Sequence, residues 1–397
     1  MDGGLLSVGF LLTLVVFHGM YSICAKCGGR RMLCGLPRCP ILERVRAVKS
    51  SMFRIRGREV FGATPPSAVV GEAGWPRVRV YIGEPPEVWG EEARAYDDPR
   101  LLWGRGLEEI IKLRSYMAFG YRTSVGPWEL GELPLLAVSE RPVDVEMRLA
   151  RDPAPGVRFD LREKPMGPRA PLERVRIDGN PAVPRPLDKL MSDDVKAGEA
   201  VVELYRRGVD LYIIQRAFSL GLLGAGHRRR LVPTRWGITA VDVAVGDYLA
   251  GRVRDMPEVD GALYGYGEYL DNRYLVAVVP GPLRFFYLER WVYGGRVAEI
   301  EVVEDPRGRR STVDGGFEAA RVAVLETLAA LGRRGTVSIV RWIGEGYYVS
   351  VGNWQIRETL RRIRLKPLDE EYGRYVALVG RDPLALIKQS RRLDEFM

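Results

Sequence analysis

Apolar residues recur every three to four positions in the second half of the chain, which is the spacing of one helix face. The clearest case covers residues 192–207, where Ser192 is a capping residue and Gly208 a stop. Its apolar face is formed by Ala197, Ala200, Val201 and Leu204. The same pattern predicts further helices over 211–220, 239–253, 314–331 and 354–364.

Between these helices lie shorter runs that are rich in β-branched and aromatic residues and typical of strands. We predict strands over 262–269, 274–279, 285–293, 297–303, 336–342 and 347–351. Asp271-Asn272 stands between the first two and predicts a hairpin turn. Runs of helices followed by antiparallel strands predict an α+β fold rather than a doubly wound sheet.

The first half of the chain is less regular. A helix begins at Ile41, and another is predicted over 103–119. Two proline turns, Thr64-Pro-Pro-Ser67 and Gly74-Trp-Pro76, accompany short strands predicted over 68–70 and 78–82, the first lying between the turns and the second following them. The stretch 153–188 is rich in proline and poor in periodic apolar residues, so we expect an extended connector or a strand-bearing insertion there, and a possible domain seam.

All four cysteines fall within sixteen residues and form a C-x2-C-x6-C-x4-C pattern: Cys24, Cys27, Cys34 and Cys39. Two thiolate pairs separated by a short loop can supply the four corners of a Zn²⁺ tetrahedron. Two disulfides in a secreted protein, or four unrelated buried thiols, are the alternatives. We predict a zinc knuckle over residues 20–40.

Residues 5–17 form an apolar run that is too short to span a bilayer and lacks the basic start of a signal peptide. A second methionine, Met20, stands just before the first cysteine. We therefore expect residues 1–19 to be a non-native leader, and expect a cytoplasmic protein with no membrane partner, because zinc thiolates suit a reducing compartment. The predicted organisation is then this leader, the knuckle, an α+β core over 41–380 and a tail over 381–397.

The chain carries a net charge of +9, and 52 of its 60 basic residues are arginines. The planar guanidinium pairs bidentately with phosphate, so this excess favours a nucleic-acid partner. Surface ion pairs with the 51 acidic residues are the other explanation. Both can hold together.

The strongest candidate site in the core lies between Gly226 and Asp242. Its basic and aromatic residues, which combine phosphate-binding charge with a stacking ring, are His227, Arg228, Arg229, Arg230, Arg235 and Trp236. A solvated basic loop with Trp236 packed in the core is the alternative. A second basic set, on the predicted last helix, is Arg357, Arg361, Arg362 and Arg364; an ordinary surface helix explains it equally well.

Recognisable catalytic signatures are missing: the chain has no Walker loop, no His-Glu-x-x-His pair and no nucleophile elbow. Any catalytic residue is therefore unknown. Acidic candidates for holding Mg²⁺ or acting as a base are Asp97, Asp98 and Asp242, each of which is more often a helix cap or an ion-pair partner.

The chain ends on a basic segment with apolar residues three apart, Leu393 and Phe396, followed by Met397. That spacing suits a short 3₁₀ turn that inserts two side chains into a pocket on a partner. A frayed terminus is the alternative. We predict a docking motif.

Several separated motifs in this order resemble the archaeal Nre family of DNA repair proteins. They are the cysteine knuckle with Cys-Gly-Leu-Pro-Arg-Cys-Pro, the turns Thr64-Pro-Pro-Ser67 and Gly74-Trp-Pro76, and Leu231-Val-Pro-Thr-Arg-Trp-Gly-Ile-Thr-Ala-Val-Asp242. The resemblance runs from the first cysteine to the last residue. It implies a role in the DNA damage response, a zinc module at DNA, and a C-terminal motif that docks on the sliding clamp, PCNA.

In the family's clamp-binding pattern a glutamine is followed three residues later by an aliphatic residue and then by two aromatics. Here Leu393 and Phe396 fit, whereas Ser390 takes the glutamine position, Gln389 lies one residue early, and Met397 replaces the second aromatic. We predict a DNA repair factor with Zn²⁺ as cofactor that contacts DNA through the knuckle and the core segment. The alternatives are a metal-dependent nuclease or other modifying enzyme with its site near Arg235 and Asp242, and an RNA-binding or RNA-modifying protein.

Overall fold

The computed structural model describes residues 27, 31–33, 38–155, 165–293, 295–346 and 352–394. The chain forms two compact units. The N-terminal unit holds the described residues of Arg38–Arg158 and Glu163–Val245, and the C-terminal unit holds those from Gly246 onwards together with residues 27 and 31–33. The proline-rich stretch 153–188, where a seam was predicted, contains a long strand of the first sheet.

A six-stranded sheet forms the N-terminal unit's centre. Its strands are β1 (Glu59–Thr64), β2 (Val69–Val70), β3 (Val78–Glu84), β4 (Ala118–Ser124), β5 (Val143–Leu149) and β6 (Arg169–Asp178). They are arranged in the order β1-β5-β6-β4-β3-β2, and every neighbouring pair is antiparallel except β4 and β6. Alternation along β5, with Val143, Val145, Met147 and Leu149 buried, places one sheet face in the core.

Short helices surround this sheet. They are α1 (Pro40–Met52), α2 (Pro99–Leu102), α3 (Leu107–Tyr116), α4 (Leu133–Val138), α5 (Arg185–Met191), α6 (Ala197–Arg206) and α7 (Leu211–Ser219). The next helix, α8 (Thr234–Arg254), contains the division between the units. Helix α7 starts at Asp210, whose carboxylate accepts hydrogen bonds from the Tyr212 and Ile213 amides.

Helices α7 and α8 approach closely at Gly237. A Cβ atom built on Gly237 would lie 2.2 Å from Oγ of Ser219, so a larger residue would push the two helices apart. This contact fixes the first turn of α8, which carries part of the candidate site described below.

A second six-stranded sheet forms the C-terminal unit. Its strands are β7 (Leu263–Tyr269), β8 (Asn272–Val279), β9 (Arg284–Tyr293), β10 (Arg296–Glu304), β11 (Thr336–Ile343) and β12 (Lys366–Pro367), in the order β10-β9-β11-β8-β7-β12. The β9–β11 pair is parallel and the other pairs are antiparallel. The α+β prediction is therefore confirmed, with one parallel pair in each sheet in addition to the expected antiparallel pairs.

Four helices complete this unit: α9 (Gly315–Leu331), α10 (Trp354–Leu360), α11 (Glu371–Val379) and α12 (Pro383–Asp394). Asp314 caps α9 by accepting a hydrogen bond from the Phe317 amide, and Gly332 ends it in the left-handed conformation. The predicted hairpin between β7 and β8 is also present, with Leu270 and Asp271 at positive φ. In the described residues, no helix combines the length and apolar character needed to cross a membrane.

Several predicted helix boundaries were wrong, including the end of the helix predicted over 354–364, which stops at Leu360. The helix expected from Ser192 begins at Ala197, because Ser192 is the C-cap of α5. The helix expected over 103–119 covers only Leu107–Tyr116, since the chain then enters β4. The helix expected over 239–253 is α8, which begins earlier, at Thr234. Pro233 precedes it, and proline is favoured near the start of a helix because it has no amide hydrogen that would lack a partner there. The strand predicted over 347–351 lies outside the described residues.

Candidate nucleic-acid interface

The basic segment predicted as a site runs over the surface of the N-terminal unit between a 3₁₀ helix, Gly226–Arg228, and the start of α8. Leu231 and Pro233 are buried and hold the segment down. The Val232 amide donates to the Ser219 carbonyl at 2.9 Å. Oγ1 of Thr234 accepts a hydrogen bond from the Val70 amide at 2.8 Å. The segment is thereby fixed while its polar side chains face outward.

Arg229 stabilises this loop. Its Nε donates to the Gly224 carbonyl at 2.8 Å, and its Nη2 donates to the Asp193 carbonyl at 2.9 Å. A guanidinium that satisfies two backbone carbonyls is held in place by them. Arg229 therefore shapes the segment more than it offers charge to a ligand.

Arg228 and Arg230 are both exposed. Nε of Arg228 donates to Nε2 of His227 at 3.1 Å, and Nη1 of Arg230 donates to the Arg229 carbonyl at 2.8 Å. In the described part of the chain, neither guanidinium has a carboxylate within ion-pair distance. These two side chains are the cations of the segment that can meet a phosphate.

Arg230 also lies over an exposed aromatic ring. Its guanidinium carbon is 5.9 Å from the ring centre of Trp128, which is 58% exposed. The indole rests on Gly126, where an added Cβ would come within 2.2 Å of the ring. The glycine thus lets Trp128 lie flat against the backbone.

A second aromatic pair lies at the start of α8. The rings of Trp75 and Trp236 have centroids 6.0 Å apart and are tilted by 56°. Trp75 is 53% exposed and Trp236 is 44% exposed, so the alternative in which Trp236 packs in the core is wrong. The Gly74-Trp-Pro76 turn therefore presents an indole beside the predicted site.

Arg235 stands next to this pair and is held by an acid. Its Nε lies 3.1 Å from Oε1 of Glu72, and its Nη2 donates to Oε2 of the same carboxylate at 3.2 Å. Both side chains are largely exposed. The fork-on-fork geometry neutralises Arg235 and leaves the positive charge of the segment to Arg228 and Arg230.

We call these six residues the tryptophan–arginine surface: Trp75, Trp128, Arg228, Arg230, Arg235 and Trp236. Six residues of chain join Arg230 to Trp236, so their α-carbons are at most roughly 20 Å apart. Within this span the surface offers two stacking positions and two uncompensated cations. That combination can hold bases by their faces and the backbone by its phosphates.

The acidic candidates are occupied within the fold. Asp242 is completely buried and accepts a hydrogen bond from Gln215 at 2.9 Å. Asp97 pairs with Arg114 at 2.8 Å and with the Ser67 hydroxyl. Asp98 caps α2 and pairs with two arginines. No group of three or more His, Cys, Asp or Glu side chains suited to a metal ion exists among the described residues.

The second basic set is mostly buried or paired with acids within the C-terminal unit. Arg357 is fully buried. Arg361 forms a two-pronged pair with Glu326 at 2.7 and 2.8 Å, and Arg362 pairs with Glu358 at 2.7 Å. Only Arg364 stands exposed without such a pair in the described residues. The interpretation of this helix as a phosphate-binding stripe was wrong for these three residues.

Two predicted sites fall partly outside the described residues. Cys27 and Cys39 are buried, whereas Cys24 and Cys34 are not described, so the zinc site stays a prediction. Helix α12 runs through the start of the predicted docking motif, with Gln389 exposed and Ser390 and Leu393 in the helix. Phe396 and Met397 are outside the described residues, and the docking motif also stays a prediction.

Trp128 and Glu72 were missed by the sequence analysis. Gly126-Pro-Trp128 repeats the small-residue, proline and tryptophan composition of Gly74-Trp-Pro76, and that recurrence was an available signal. Nothing local in the sequence marks Glu72 as the partner of an arginine 163 residues away.

Comparison with known proteins assigns the family. Residues 33–296 match the model of the archaeal Nre N-terminal region, and residues 304–373 match that of the archaeal Nre C-terminal region. DNA repair protein NreA of Archaeoglobus fulgidus is 34% identical over 87% of this chain and 89% of its own length. NreA of Haloferax volcanii is 33% identical over 77% of this chain and 78% of its own length.

DNA repair protein NreB of Archaeoglobus fulgidus is similar to a comparable degree, at 31% identity over 86% of this chain and 87% of its own length. No solved structure matches the chain. The two family models together cover both units, and the chain belongs to the archaeal Nre family.

Proposed function

We propose that this protein is a DNA repair factor that binds DNA through the tryptophan–arginine surface and a zinc knuckle and is brought to its site by the sliding clamp. The relatives to which the chain is similar are named DNA repair proteins. The observation that carries the proposal is the exposed Trp75–Trp236 pair beside Arg235 on a chain with net charge +9. Exposed indoles of this size are costly in water unless a partner covers them.

The surface favours unpaired bases over intact duplex. An indole face binds a base only when that base is open to stacking, and stacking contributes about 1–3 kcal/mol per base. Arg228 and Arg230 add backbone contacts that are independent of sequence. DNA that contains a single-stranded or distorted segment is therefore the expected ligand.

The zinc knuckle is proposed on the donor chemistry of Cys24, Cys27, Cys34 and Cys39. Cys39 is buried and occupies the N-cap position of α1. Four thiolates are the donor set of a tetrahedral structural Zn²⁺ site. The ion would fix this segment for contact with DNA.

Recruitment by the clamp is proposed for the tail. Leu393 and Phe396 would enter a pocket on PCNA, with Met397 in the second aromatic position. Docking requires the last turn of α12 to tighten into a 3₁₀ turn, which is a common ending for α-helices. Tethering would raise the local concentration of a DNA binder whose own affinity is modest.

The DNA-binding proposal is tested by Trp236→Ala, measured by fluorescence anisotropy with single-stranded DNA at fixed salt. We expect affinity to fall by about 1–3 kcal/mol, which is roughly 5- to 150-fold, because one stacking ring is lost. Trp89→Ala is the matched control, since Trp89 is 50% exposed in the same unit and has no place in the surface. Equal affinity of the two variants would contradict the proposal.

The same assay separates the alternatives. Single-stranded RNA that competes better than DNA would redirect the proposal to RNA. A nuclease site at Arg235 and Asp242 has no supporting observation, because Asp242 is buried and hydrogen-bonded to Gln215.

A further inference from the structure

A small cavity lies in the N-terminal unit, and none of the residues that line it belongs to the tryptophan–arginine surface. The Pro65-Pro66 turn forms one wall, the start of α2 another, and one face of α7 a third. The polar side chains that line it belong to Arg94, Asp98, Arg100, Ser139, Glu140, Tyr212 and Arg216. Three of these are guanidinium groups, which is unusual for so small a space.

Arg216 differs from the other two arginines in its partners. Arg94 lies 3.0 Å from Asp98, and Arg100 is bound by Asp98 and by Asp210 at 2.8 Å each. Arg216 makes no hydrogen bond or ion pair with any described residue, and its Nε is shielded from solvent. The cavity therefore holds one cation that the protein does not neutralise by direct contact.

The size of the cavity selects the ligand. Inside the cavity, the centre of a water-sized sphere can occupy a volume of about 20 Å³. Adding the radius of water gives a sphere of roughly 3 Å radius, which accommodates a tetrahedral oxyanion and is too small for a nucleoside. A phosphoryl group can enter alone, and a larger molecule can enter only by such an end.

We propose that this cavity is a binding site for a phosphoryl group, with the Arg216 guanidinium as its direct partner and Arg94 and Arg100 contributing the surrounding positive field. The ligand is free phosphate or the terminal phosphate of a nucleic-acid strand. The site is independent of the tryptophan–arginine surface, so the two proposals can fail separately.

Electrostatics agree with this geometry. Burial lowers the pKa of Arg216 from its usual value, although an arginine remains charged in proteins. The acids that act on it are Asp97, Asp98 and Asp210, and Arg100 opposes them. The Nε of Arg216 is shielded from water without a hydrogen-bond partner, which destabilises the folded state, and a bound oxyanion would remove that cost.

The test is calorimetric titration of the full chain with inorganic phosphate at constant ionic strength. The wild type should bind phosphate saturably, and Arg216→Met should bind it at least about tenfold more weakly, because a charge-assisted contact is lost. Without phosphate, Arg216→Met should melt no lower than the wild type, since a half-buried arginine whose Nε has no hydrogen-bond partner is replaced by an apolar chain of similar volume. Phosphate should raise the melting temperature of the wild type only.

Two further variants keep the result decisive. Arg206→Met removes an exposed arginine from α6 and should bind phosphate as the wild type does. Glu140→Gln removes a carboxylate from the cavity lining and should tighten phosphate binding several-fold. Equal phosphate binding by the wild type, Arg216→Met and Glu140→Gln, or no binding by any of them, would overturn the proposal.

Oligonucleotides with 5′-phosphate, 3′-phosphate or hydroxyl ends distinguish the two sources. A preference for one phosphorylated end that Arg216→Met abolishes identifies a strand-end site. Phosphate binding that depends on Arg216 without any end preference identifies a site for the free anion.

Discussion

The two units differ in how many arginines they bury: among the described residues the N-terminal unit buries one, Arg44, and the C-terminal unit buries three. In the N-terminal unit Arg228, Arg230 and Arg235 stand at the surface beside exposed tryptophans. In the C-terminal unit Arg321, Arg341 and Arg357 are at most 3% exposed. The arginines of this chain thus include exposed ones without an acidic partner in the described residues, such as Arg228 and Arg230, and buried ones that pair with acids, such as Arg321 and Arg341.

The buried pairs of the C-terminal unit form connected networks. Nη2 of Arg321 donates to Glu304 at 2.9 Å, and Nε of Arg310 lies 2.9 Å from Glu318. On the neighbouring strands β9 and β11, Glu289 accepts hydrogen bonds from Nη1 of Arg341 at 2.6 Å and from the Tyr287 hydroxyl at 2.7 Å. The low dielectric constant of the interior strengthens such contacts, and it also raises the free-energy cost of leaving one of the buried groups unpaired.

The exposed tryptophans follow the same division. In the described residues, each tryptophan that is at least 44% exposed lies in the N-terminal unit: Trp75, Trp89, Trp128 and Trp236. The tryptophans of the C-terminal unit, Trp291, Trp342 and Trp354, are buried or half-buried. The difference is what the proposed function expects if the N-terminal unit binds DNA, while the buried polar groups of the C-terminal unit stabilise its fold.

The largest effect that this comparison predicts is on stability. Arg321→Ala would remove the nearest cation from the buried Glu304 carboxylate, and we expect the free energy of unfolding to fall by about 3–5 kcal/mol, measured by urea denaturation. Arg296→Ala, on the exposed side of β10, is the control and should change it by less than about 0.5 kcal/mol. A similar small loss for both would show that the interior network adds nothing beyond an exposed arginine.

A smaller effect concerns pH. Burial raises the pKa of Glu318 from 4.5 to about 7, and Arg310 and Arg321 oppose the shift. A raised pKa means that the folded state holds this proton more tightly than the unfolded chain. The resulting stabilisation is complete below about pH 4.5 and is lost as the pH rises through about 7.

Replacing the titrating group should remove this dependence. As the pH rises from 5 to 8, the wild type should lose stability that Glu318→Gln keeps. The free energy of unfolding of Glu318→Gln relative to that of the wild type should therefore increase by about 2–3 kcal/mol over this range. Asp314, whose pKa burial raises to about 6, titrates in both proteins and cancels in the comparison. A constant difference between the two proteins at pH 5, 6, 7 and 8 would show that Glu318 keeps its charge in the folded state.

Local signals in the sequence predicted much of the fold. The capping residue Asp314 and the stop at Gly332 bound α9, and Asp271 marks the hairpin between β7 and β8. Each depends on residues that are adjacent in the chain, where backbone preference decides the structure. The start of α6 was missed because a serine can end one helix as readily as it begins the next.

The candidate site could be predicted only in part. The segment with Arg228 and Trp236 carries its own signal, since charge and aromatic residues lie together in the sequence. Its partner Trp75 lies 161 residues away in the chain, and only the folded sheet brings the two rings together. The buried pairs could not be predicted either, because charged residues such as Arg321 and Glu304 are usually exposed and only the folded structure shows that they are buried.

The smallest predicted effect tests how the surface limits its own charge. Glu72→Gln should leave the free energy of unfolding within about 0.5 kcal/mol, because an exposed pair contributes little to stability. DNA affinity should rise by a few-fold, and the slope of log affinity against log salt should steepen by about one, since Arg235 is freed to contact a phosphate. Glu173→Gln is the control, because Glu173 forms an exposed pair with Arg148 in the same unit. Weaker DNA binding by Glu72→Gln alone would mean that the Arg235–Glu72 pair holds Trp75 and Trp236 in position, and that the stacking geometry of this surface matters more than its net charge.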